Sequence, residues 1–282
     1  MGWALHVLGS GQDGGLPQFG ARRGLDDAAR RGMIPARTAA SIAFVHHDGR
    51  TLLVDASPDL RHQEALLVSA GAGRHGAPVD GVVITHAHIG HYAGLVHFGE
   101  ESLAATDVPL WGTPEMLGFL TANQPWGRLL TGGHLRPMPI PPGRSVSVFP
   151  DLEMTLIPVP HRREDSDAVA VSAGGALYLP DIDSWEEWPE AESVITRHPV
   201  CLLDGTFFES GELSHRDQSA VRHPPVSDTI SRFAHLASDR RMVLTHLNHT
   251  NPLGDPDSTE HGRTLAVGFE VAWDGMKIEL AV

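Results

Sequence analysis

Short apolar runs that end at loops recur along the chain, at residues 5–8, 41–45, 51–54, 81–84, 154–159, 176–179, 200–203 and 241–244. Their length and their content of β-branched residues predict buried strands. Helices are predicted between them, at residues 59–70, 91–103, 113–121, 185–196 and 227–238. Because strands and helices alternate, the chain is predicted to belong to the α/β class. We expect a single domain over residues 1–282, since α/β chains of this length commonly form one domain.

Three connecting segments carry further signals. Asp274-Gly275 separates two apolar segments, residues 269–273 and 276–280, which predicts a β-hairpin at the end of the chain. Residues 137–142 are rich in proline, which cannot donate to a strand ladder, so they are predicted to form an extended connector between two halves. The polar, glycine-containing residues 22–37 are predicted to form a mobile loop.

The composition limits the classes of partner. The 282 residues carry a formal net charge of −14, from 35 acidic and 21 basic side chains, which argues against general binding to nucleic acid or to an anionic membrane. No apolar run reaches the roughly 18 residues of a membrane-spanning helix, and no basic leader precedes the first strand, so we expect a cytoplasmic protein. The single cysteine, Cys201, has apolar neighbours and is expected in the core.

Three histidines follow the strand predicted at residues 81–84. His86 and His88 are two positions apart, so an extended backbone directs both imidazoles to one side, where they can bind one ion. His91 comes where a helix is expected to begin, and its different direction suits a second ion. A lone histidine is usually solvated or satisfied in the core, but three in this pattern predict a metal site.

Three further side chains of ligand type close later strands: His161, Asp181 and His246. Ligands of active sites in α/β folds collect at strand ends, because the loops there converge on a crevice held by the sheet. We therefore expect these residues to meet the three histidines. Histidine and aspartate suit Zn²⁺, as one or two ions, and they do not exclude iron or manganese.

The order His-Ala-His-Ile-Gly-His, Val-Pro-His, Tyr-Leu-Pro-Asp and Thr-His-Leu-Asn-His resembles that of the metallo-β-lactamase superfamily. The resemblance covers nearly the whole chain and implies an αββα four-layer sandwich of two similar halves. It implies two metal positions that share a bridging aspartate, with the ligands His86, His88 and His161 at one position, His91 and His246 at the other, and Asp181 between them.

One position departs from the superfamily motif. Gly90 stands where the superfamily normally has an aspartate. The missing carboxylate implies a weaker second metal position and a net positive charge of about +2 on a site with two ions, Asp181 and a hydroxide, which favours an anionic substrate. Asp183 and Asp59 are the residues considered as replacements.

Within that superfamily the chain is similar to the B protein of pyrroloquinoline quinone biosynthesis and its relatives. The similar stretches are residues 7–18, 36–42, 55–61, 203–207 and 249–252. The biosynthetic protein usually has a cysteine cluster after the first glycine-rich loop, and residues 20–26 have no cysteine, so its structural zinc is not expected. That protein also tends to lack the histidines of the central motif, whereas His86 and His88 are present. The chain is therefore interpreted as a relative with a fuller metal site.

Phosphodiesterases of the superfamily use a histidine to protonate the leaving oxygen and an acidic residue to orient that histidine. The resemblance assigns these roles to His223 and Asp204, alongside Asp181 as a catalytic residue. In the alternative interpretation Asp204 is a turn residue and His223 is solvated.

Substrate contacts are predicted on loops near the strand ends, at Gln12, Asp13, Asp59, Asn248 and His249. Asn248 and His249 are explained equally well as residues that cap a turn. The glycine-rich residues 9–15 lack both a G-x-G-x-x-G pattern and a G-K-[ST] ending, so nucleotide binding is not expected.

The leading hypothesis is a metal-dependent hydrolase that uses a metal-bound hydroxide on a small, anionic ester such as a phosphodiester. The opposing hypothesis is an iron-dependent oxygenase or oxidoreductase of a cofactor or natural-product pathway, since the same ligands accept iron. A third, a non-catalytic binding module, would not need a full ligand set. The expected partner is a small-molecule substrate; a homodimer is compatible with the sequence, which leaves the oligomeric state open.

Overall fold

The computed structural model describes residues 2–73, 77–213 and 221–280. Within these residues the strands form two seven-stranded sheets. The strands of the first sheet are β1 (Trp3–Gly9), β2 (Ser41–His46), β3 (Thr51–Val54), β4 (Gly81–Val83), β5 (Val108–Gly112), β6 (Leu135–Pro139) and β14 (Lys277–Glu279). Their order across the sheet is β14-β1-β2-β3-β4-β5-β6, antiparallel from β14 to β3 and parallel from β3 to β6.

The second sheet repeats this plan. Its strands are β7 (Ser145–Phe149), β8 (Leu152–Pro158), β9 (Val169–Ala173), β10 (Ala176–Leu179), β11 (Val200–Asp204), β12 (Arg241–Thr245) and β13 (Phe269–Val271). Their order is β13-β12-β11-β10-β9-β8-β7, antiparallel from β7 to β10 and parallel from β10 to β13. The two halves of the chain are therefore similar in topology.

The central strands, such as β2, β3, β10 and β11, are buried on both faces, which explains why they read as continuous apolar runs. Leu5 and Val7 of β1 lie in the core between the two sheets, together with Tyr178 of β10. Leu8 packs under the helices of the first sheet, and Leu179 packs under those of the second. Successive side chains of a strand point to opposite faces, so one strand contributes to two cores.

Helices cover the outer face of each sheet. The α-helices of the described residues are α1 (Leu25–Arg30), α2 (Leu60–Ser69), α3 (Ile89–Tyr92), α4 (Pro114–Ala122), α5 (Trp126–Thr131), α6 (Ala191–Thr196), α7 (Val226–Phe233) and α8 (Thr259–Ala266). Buried side chains of α2, α4 and α5 pack on the first sheet, and those of α6 and α7 pack on the second. These layers confirm the predicted αββα sandwich. None of the helices in the described residues is both long and apolar enough to cross a membrane.

The hairpin predicted at the end of the chain is wrong. β13 pairs with β12 in the second sheet, whereas β14 pairs with β1 in the first. The turn between them crosses from one sheet to the other, and the Asp274 carboxylate holds it by accepting the backbone N–H groups of Ser10 (3.0 Å) and Thr38 (2.7 Å). These tertiary contacts outweigh the local preference of Asp-Gly for a hairpin.

Two predicted helices are shorter than expected. Of residues 185–196 only α6 is helical, because the residue before Pro189 is disfavoured in the α conformation, and Trp185 and Trp188 are instead buried in the core of the second half. Residues 91–103 contain the end of α3 and a 3₁₀ helix, Ala93–Phe98.

Two connecting segments also differ from expectation. Residues 22–37, predicted to be a loop, contain α1. Residues 137–142 were predicted to be a connector, but Pro137 and Pro139 belong to β6, and only the residues after them lead to the second sheet. β6 is the edge strand of its sheet, where a missing N–H donor is tolerated.

Candidate metal centre

One group of ligand-type side chains gathers where β4, β8 and β10 end: His86, His88, His161 and Asp181. Their donor atoms lie within 4.8 Å of one another. Nε2 of His161 is 3.2 Å from Nδ1 of His88 and 3.8 Å from Oδ1 of Asp181. Nε2 of His86 is 3.8 Å from Oδ2 of Asp181. The structure thus brings together the residues predicted for the first metal position.

A second group adjoins the first and contains His91, His246 and Asp13. Oδ1 of Asp13 is 3.5 Å from Nε2 of His91 and 3.7 Å from Nε2 of His246. Asp13 lies on the loop after β1 and was predicted to contact substrate. The structure places its carboxylate against the two histidines that were predicted for the second metal position.

The carboxylate of Asp181 reaches both groups. Its Oδ2 is 3.2 Å from Nε2 of His91 and 3.4 Å from Nε2 of His246. Its Oδ1 faces His161 and lies 4.0 Å from Nε2 of His223. This is the placement that a bridging ligand requires.

Two residues of the centre have unusual backbone conformations. Asp55, directly after β3, has φ 62°, and His246, directly after β12, has φ 61°. Residues other than glycine seldom adopt this left-handed region, and such strain persists where the surrounding contacts fix it. Both side chains are buried and held by hydrogen bonds within the centre.

The carboxylate of Asp55 orients two histidines of the central motif. Nδ1–H of His91 donates to its Oδ2 (2.7 Å). The Thr85 hydroxyl donates to the same carboxylate (3.0 Å) and is therefore free to accept Nδ1–H of His86 (2.9 Å). Each ring thus carries its proton on Nδ1 and presents Nε2 to the cluster, an arrangement typical of metal-binding histidines.

Asp204 plays the same part in the second half. Nδ1–H of His223 donates to its Oδ2 (2.6 Å). The Thr206 hydroxyl donates to Oδ1 (2.7 Å) and accepts Nδ1–H of His246 (2.9 Å). A fifth histidine, His161, has its Nδ1 2.8 Å from Oδ1 of Asp183.

Protonation states favour metal binding at the first group. Burial lowers the pKa of His86 well below its ordinary value, and nearby His91 adds to this effect. Burial also lowers the pKa of His88 to about 4. Burial raises the pKa of Asp181, but His246 and His86 outweigh it and hold that pKa well below the ordinary value. Two imidazoles are thus neutral and the carboxylate is ionised at pH 7, the forms that bind cations.

The donor atoms fit a divalent cation. Nε2 of His86, His91 and His246 and Oδ2 of Asp181 are buried and lack a hydrogen-bond partner in the described structure. A buried polar atom left without a partner costs about 1–3 kcal/mol. Four such atoms converging on one volume are explained if cations satisfy them.

Residues 50–247 match the family model of the beta-lactamase superfamily domain. The match spans more than half of the chain and includes every histidine of the cluster. The chain therefore belongs to the metallo-β-lactamase superfamily.

Within the superfamily it is related to proteins called coenzyme PQQ synthesis protein B. It is 32% identical to the protein of this name from Azotobacter vinelandii and 30% identical to the one from Cupriavidus necator, with 98% of this chain and 99% of the relative covered in each case.

Solved structures of similar fold include a protein of the same name. The Zn²⁺-bound PqqB of Methylobacterium extorquens is similar with a TM-score of 0.85 and 26% identity, covering 98% of this chain and 100% of the other. A diphosphatase from the PhnP family has a TM-score of 0.75 and 22% identity, covering 100% and 99%, and shares the fold. The predicted relationship to the superfamily and to the quinone-biosynthesis protein is confirmed.

Most of the predicted substrate contacts have protein partners. The side-chain amide of Asn248 donates to Gln12. Nδ1 of His249 is 2.8 Å from Oδ2 of Asp26. These contacts tie the loop after β1 and the start of α1 to the end of β12. Their role as substrate contacts stays a prediction.

The two residues considered as replacements for the motif aspartate lie elsewhere. Asp59 accepts the backbone N–H of Ala39 (2.9 Å), and Asp183 faces His161. The residue that occupies the space beside Gly90 is Asp13, whose Oδ1 lies 2.2 Å from where a Cβ at position 90 would be.

Sequence reasoning gave no role to Asp55, Thr85 or Thr206, which orient the histidines of the superfamily motif. Asp55 comes after the end of a strand, as the predicted ligands do, so its position in the sequence could have marked it as a residue of the metal centre. The two threonines carried no such signal, because a threonine at a strand end is common and its partner is decided by tertiary contacts.

Proposed function

We propose that this chain is a metal-dependent hydrolase that acts on a small, anionic ester such as a phosphodiester. One observation carries the proposal: Nε2 of His223 lies at the edge of the candidate metal centre, 4.0 Å from Oδ1 of Asp181, while its Nδ1–H donates a hydrogen bond to Asp204. A histidine held in this way is suited to give a proton to a leaving oxygen.

Divalent ions bound at the cluster supply Lewis acidity and a water nucleophile that ionises near neutral pH. The chain's own residues contribute orientation and proton transfer. His86, His88 and His161 would hold one ion, His91 and His246 would hold the other, and Asp181, which faces both groups, would be a ligand of both. Asp55 and Asp204 keep the rings directed at the cluster.

The surroundings of His223 favour its protonated form. Burial lowers its pKa, but the carboxylates of Asp204 and Asp181 outweigh burial and raise the pKa above the ordinary value. The ring therefore holds the proton that a poor leaving group requires. A guanidinium nitrogen of Arg162 lies 3.5 Å from Nε2 of His223, which adds positive charge where an anionic substrate would approach.

The test is an assay of the purified protein loaded with Zn²⁺, Mn²⁺ or Fe²⁺. We expect metal-dependent release of p-nitrophenol from bis(p-nitrophenyl) phosphate, with a higher kcat/KM than for the neutral ester p-nitrophenyl acetate, and the same rate with and without oxygen. Absence of hydrolysis with every metal would refute the proposal.

A second candidate is an iron-dependent oxygenase or oxidoreductase, because the relatives are named for the synthesis of coenzyme PQQ. The same assays separate the two candidates. Oxygen uptake by the Fe²⁺-loaded protein with a reduced aromatic substrate, together with no hydrolysis of either ester, would favour the oxygenase.

A further inference from the structure

We propose that Asp13 is a metal ligand that replaces the aspartate missing from the superfamily motif at Gly90. The proposal rests on the proposed function to the extent that both require a cation at this centre. In the motif the carboxylate would come from the segment that carries His91. Here it comes from the loop after β1, about eighty residues earlier in the chain.

The distances fit a single ion. The donor atoms of Asp13, His91 and His246 lie within 4.8 Å of one another, and Oδ2 of Asp181 also faces the two histidine nitrogens. Asp13 lies 3.5 and 3.7 Å from the two histidine nitrogens, and Asp181 lies 3.2 and 3.4 Å from them. Ligand atoms about 2.0–2.2 Å from a tetrahedral Zn²⁺ lie about 3.3–3.6 Å apart, and the four distances between these carboxylates and histidines lie within about 0.1 Å of that range.

The glycine is explained by Asp13. A Cβ at position 90 would lie 2.2 Å from Oδ1 and 2.8 Å from Cα of Asp13, both impossible without a shift. Gly90 has no positive φ, so the backbone does not require glycine there. The space required by Asp13 supplies the reason. The two positions are therefore complementary, with a carboxylate at one and no side chain at the other.

The loop that carries Asp13 is fixed to the strand end that carries His246. Before Asp13, the backbone N–H of Gln12 donates to the carbonyl of Leu247 (2.8 Å); after it, the backbone N–H of Leu16 donates to the carbonyl of Arg37 (2.8 Å). Asp13 is consequently delivered by a loop anchored on both sides, as a ligand requires. The negative charge of Asp13 lowers the net charge of a site with two ions by one unit from the value of about +2 that is expected when no carboxylate replaces the one missing at Gly90.

The decisive experiment is calorimetric titration of metal-free protein with Zn²⁺, comparing wild type with Asp13→Asn. The substitution keeps the size of the side chain but removes its charge. We expect the protein to bind one ion about tenfold to a hundredfold more weakly. Asp59→Asn is the matched control, because Asp59 is a carboxylate of the same region that accepts a backbone N–H instead, and we expect both affinities to be unchanged.

A spectroscopic test shows direct ligation. In Asp13→Cys loaded with Co²⁺ we expect a thiolate-to-cobalt charge-transfer band, since thiolate is a good ligand for this class of metal. Wild type should lack the band, because its only cysteine, Cys201, is buried in the core. Asp59→Cys should lack it as well.

A third variant tests whether Asp13 needs the space that Gly90 leaves open. Gly90→Ala adds the Cβ that meets Asp13 and should weaken the same ion, whereas Gly118→Ala, at a helix position with no neighbour within 4 Å, should not. Thermal unfolding of each variant checks that it folds.

Asp13→Asn with wild-type affinity for every ion, and no band in Asp13→Cys, would overturn the proposal. The outcome is separable from that of the proposed function. Loss of one ion in Asp13→Asn, with no ester hydrolysed by wild type, would support the ligand and refute the hydrolase; unchanged metal affinity with active hydrolysis would do the reverse.

Discussion

Nδ1 of His91 lies 2.7 Å from Oδ2 of Asp55, and both side chains are buried. The other oxygen of Asp55 accepts the backbone N–H of Thr85 (2.9 Å), so the carboxylate faces only donors. In Asp55→Asn an amide NH₂ would face one of these donors. We expect zinc affinity about tenfold to a hundredfold weaker, measured by titration.

The control for Asp55→Asn is Asp48→Asn, which removes a carboxylate from an exposed ion pair with Arg50. It should bind zinc as wild type does. Equal zinc affinities in all three proteins would show that Asp55 does not orient His91 for a metal.

His86→Ala and His161→Ala should each remove an ion and abolish turnover, because both residues belong to the first metal group. The measurements are metal content after dialysis and kcat on the same preparation. His62→Ala, at an exposed position of α2, is the control and should keep both properties. Full metal content in both cluster variants would contradict the ligand assignment.

His223→Ala should leave the metal content intact and slow hydrolysis by about 10²–10⁴-fold, the range typical of a lost general acid. The loss should be smaller for esters with good leaving groups, which need little protonation. His223 also lies within reach of Asp181 and His246 as a third ligand-type group. Loss of an ion in His223→Ala, or equal losses for good and poor leaving groups, would count against the role of proton donor.

Metal removal should lower thermal stability. Buried imidazole nitrogens without partners gain an interaction only when a cation is bound. Zn²⁺ at a hundred times its Kd should stabilise the fold by about 2.7 kcal/mol for one site, which raises Tm. The measurement is thermal unfolding with chelator and with zinc. The double variant His86→Ala with His91→Ala should show little dependence on zinc, and an equal dependence there would place the bound zinc elsewhere.

Asp274→Ala should destabilise the protein without touching the centre. Asp274 accepts four hydrogen bonds, two from Ser10 and two from Thr38. Leaving such donors unpaired costs about 1–3 kcal/mol, which would lower the urea midpoint. Asp257→Ala, at an exposed position, should leave the midpoint unchanged. A midpoint for Asp274→Ala equal to that of wild type would show that the crossing turn does not depend on this carboxylate.

The sequence by itself determined the class of fold and most strand positions. A strand that is buried on both faces has an uninterrupted apolar run, and such a run can be recognised from the sequence without knowing its neighbours in the fold. β3 and β10, for example, have the predicted bounds. The order of histidines and aspartates at strand ends likewise indicated the superfamily, because ligand type and chain order are properties of the sequence.

Pairing between distant segments was decided only by the tertiary structure. The Asp-Gly turn has a strong local preference for a hairpin, yet Asp274 bonds to Ser10 and Thr38 and the strands on either side join different sheets. The same holds for Asp13 and Gly90. Their separation in sequence conceals that one fills the space left by the other, and only the packing of the loop after β1 against the end of β12 brings that carboxylate to His91.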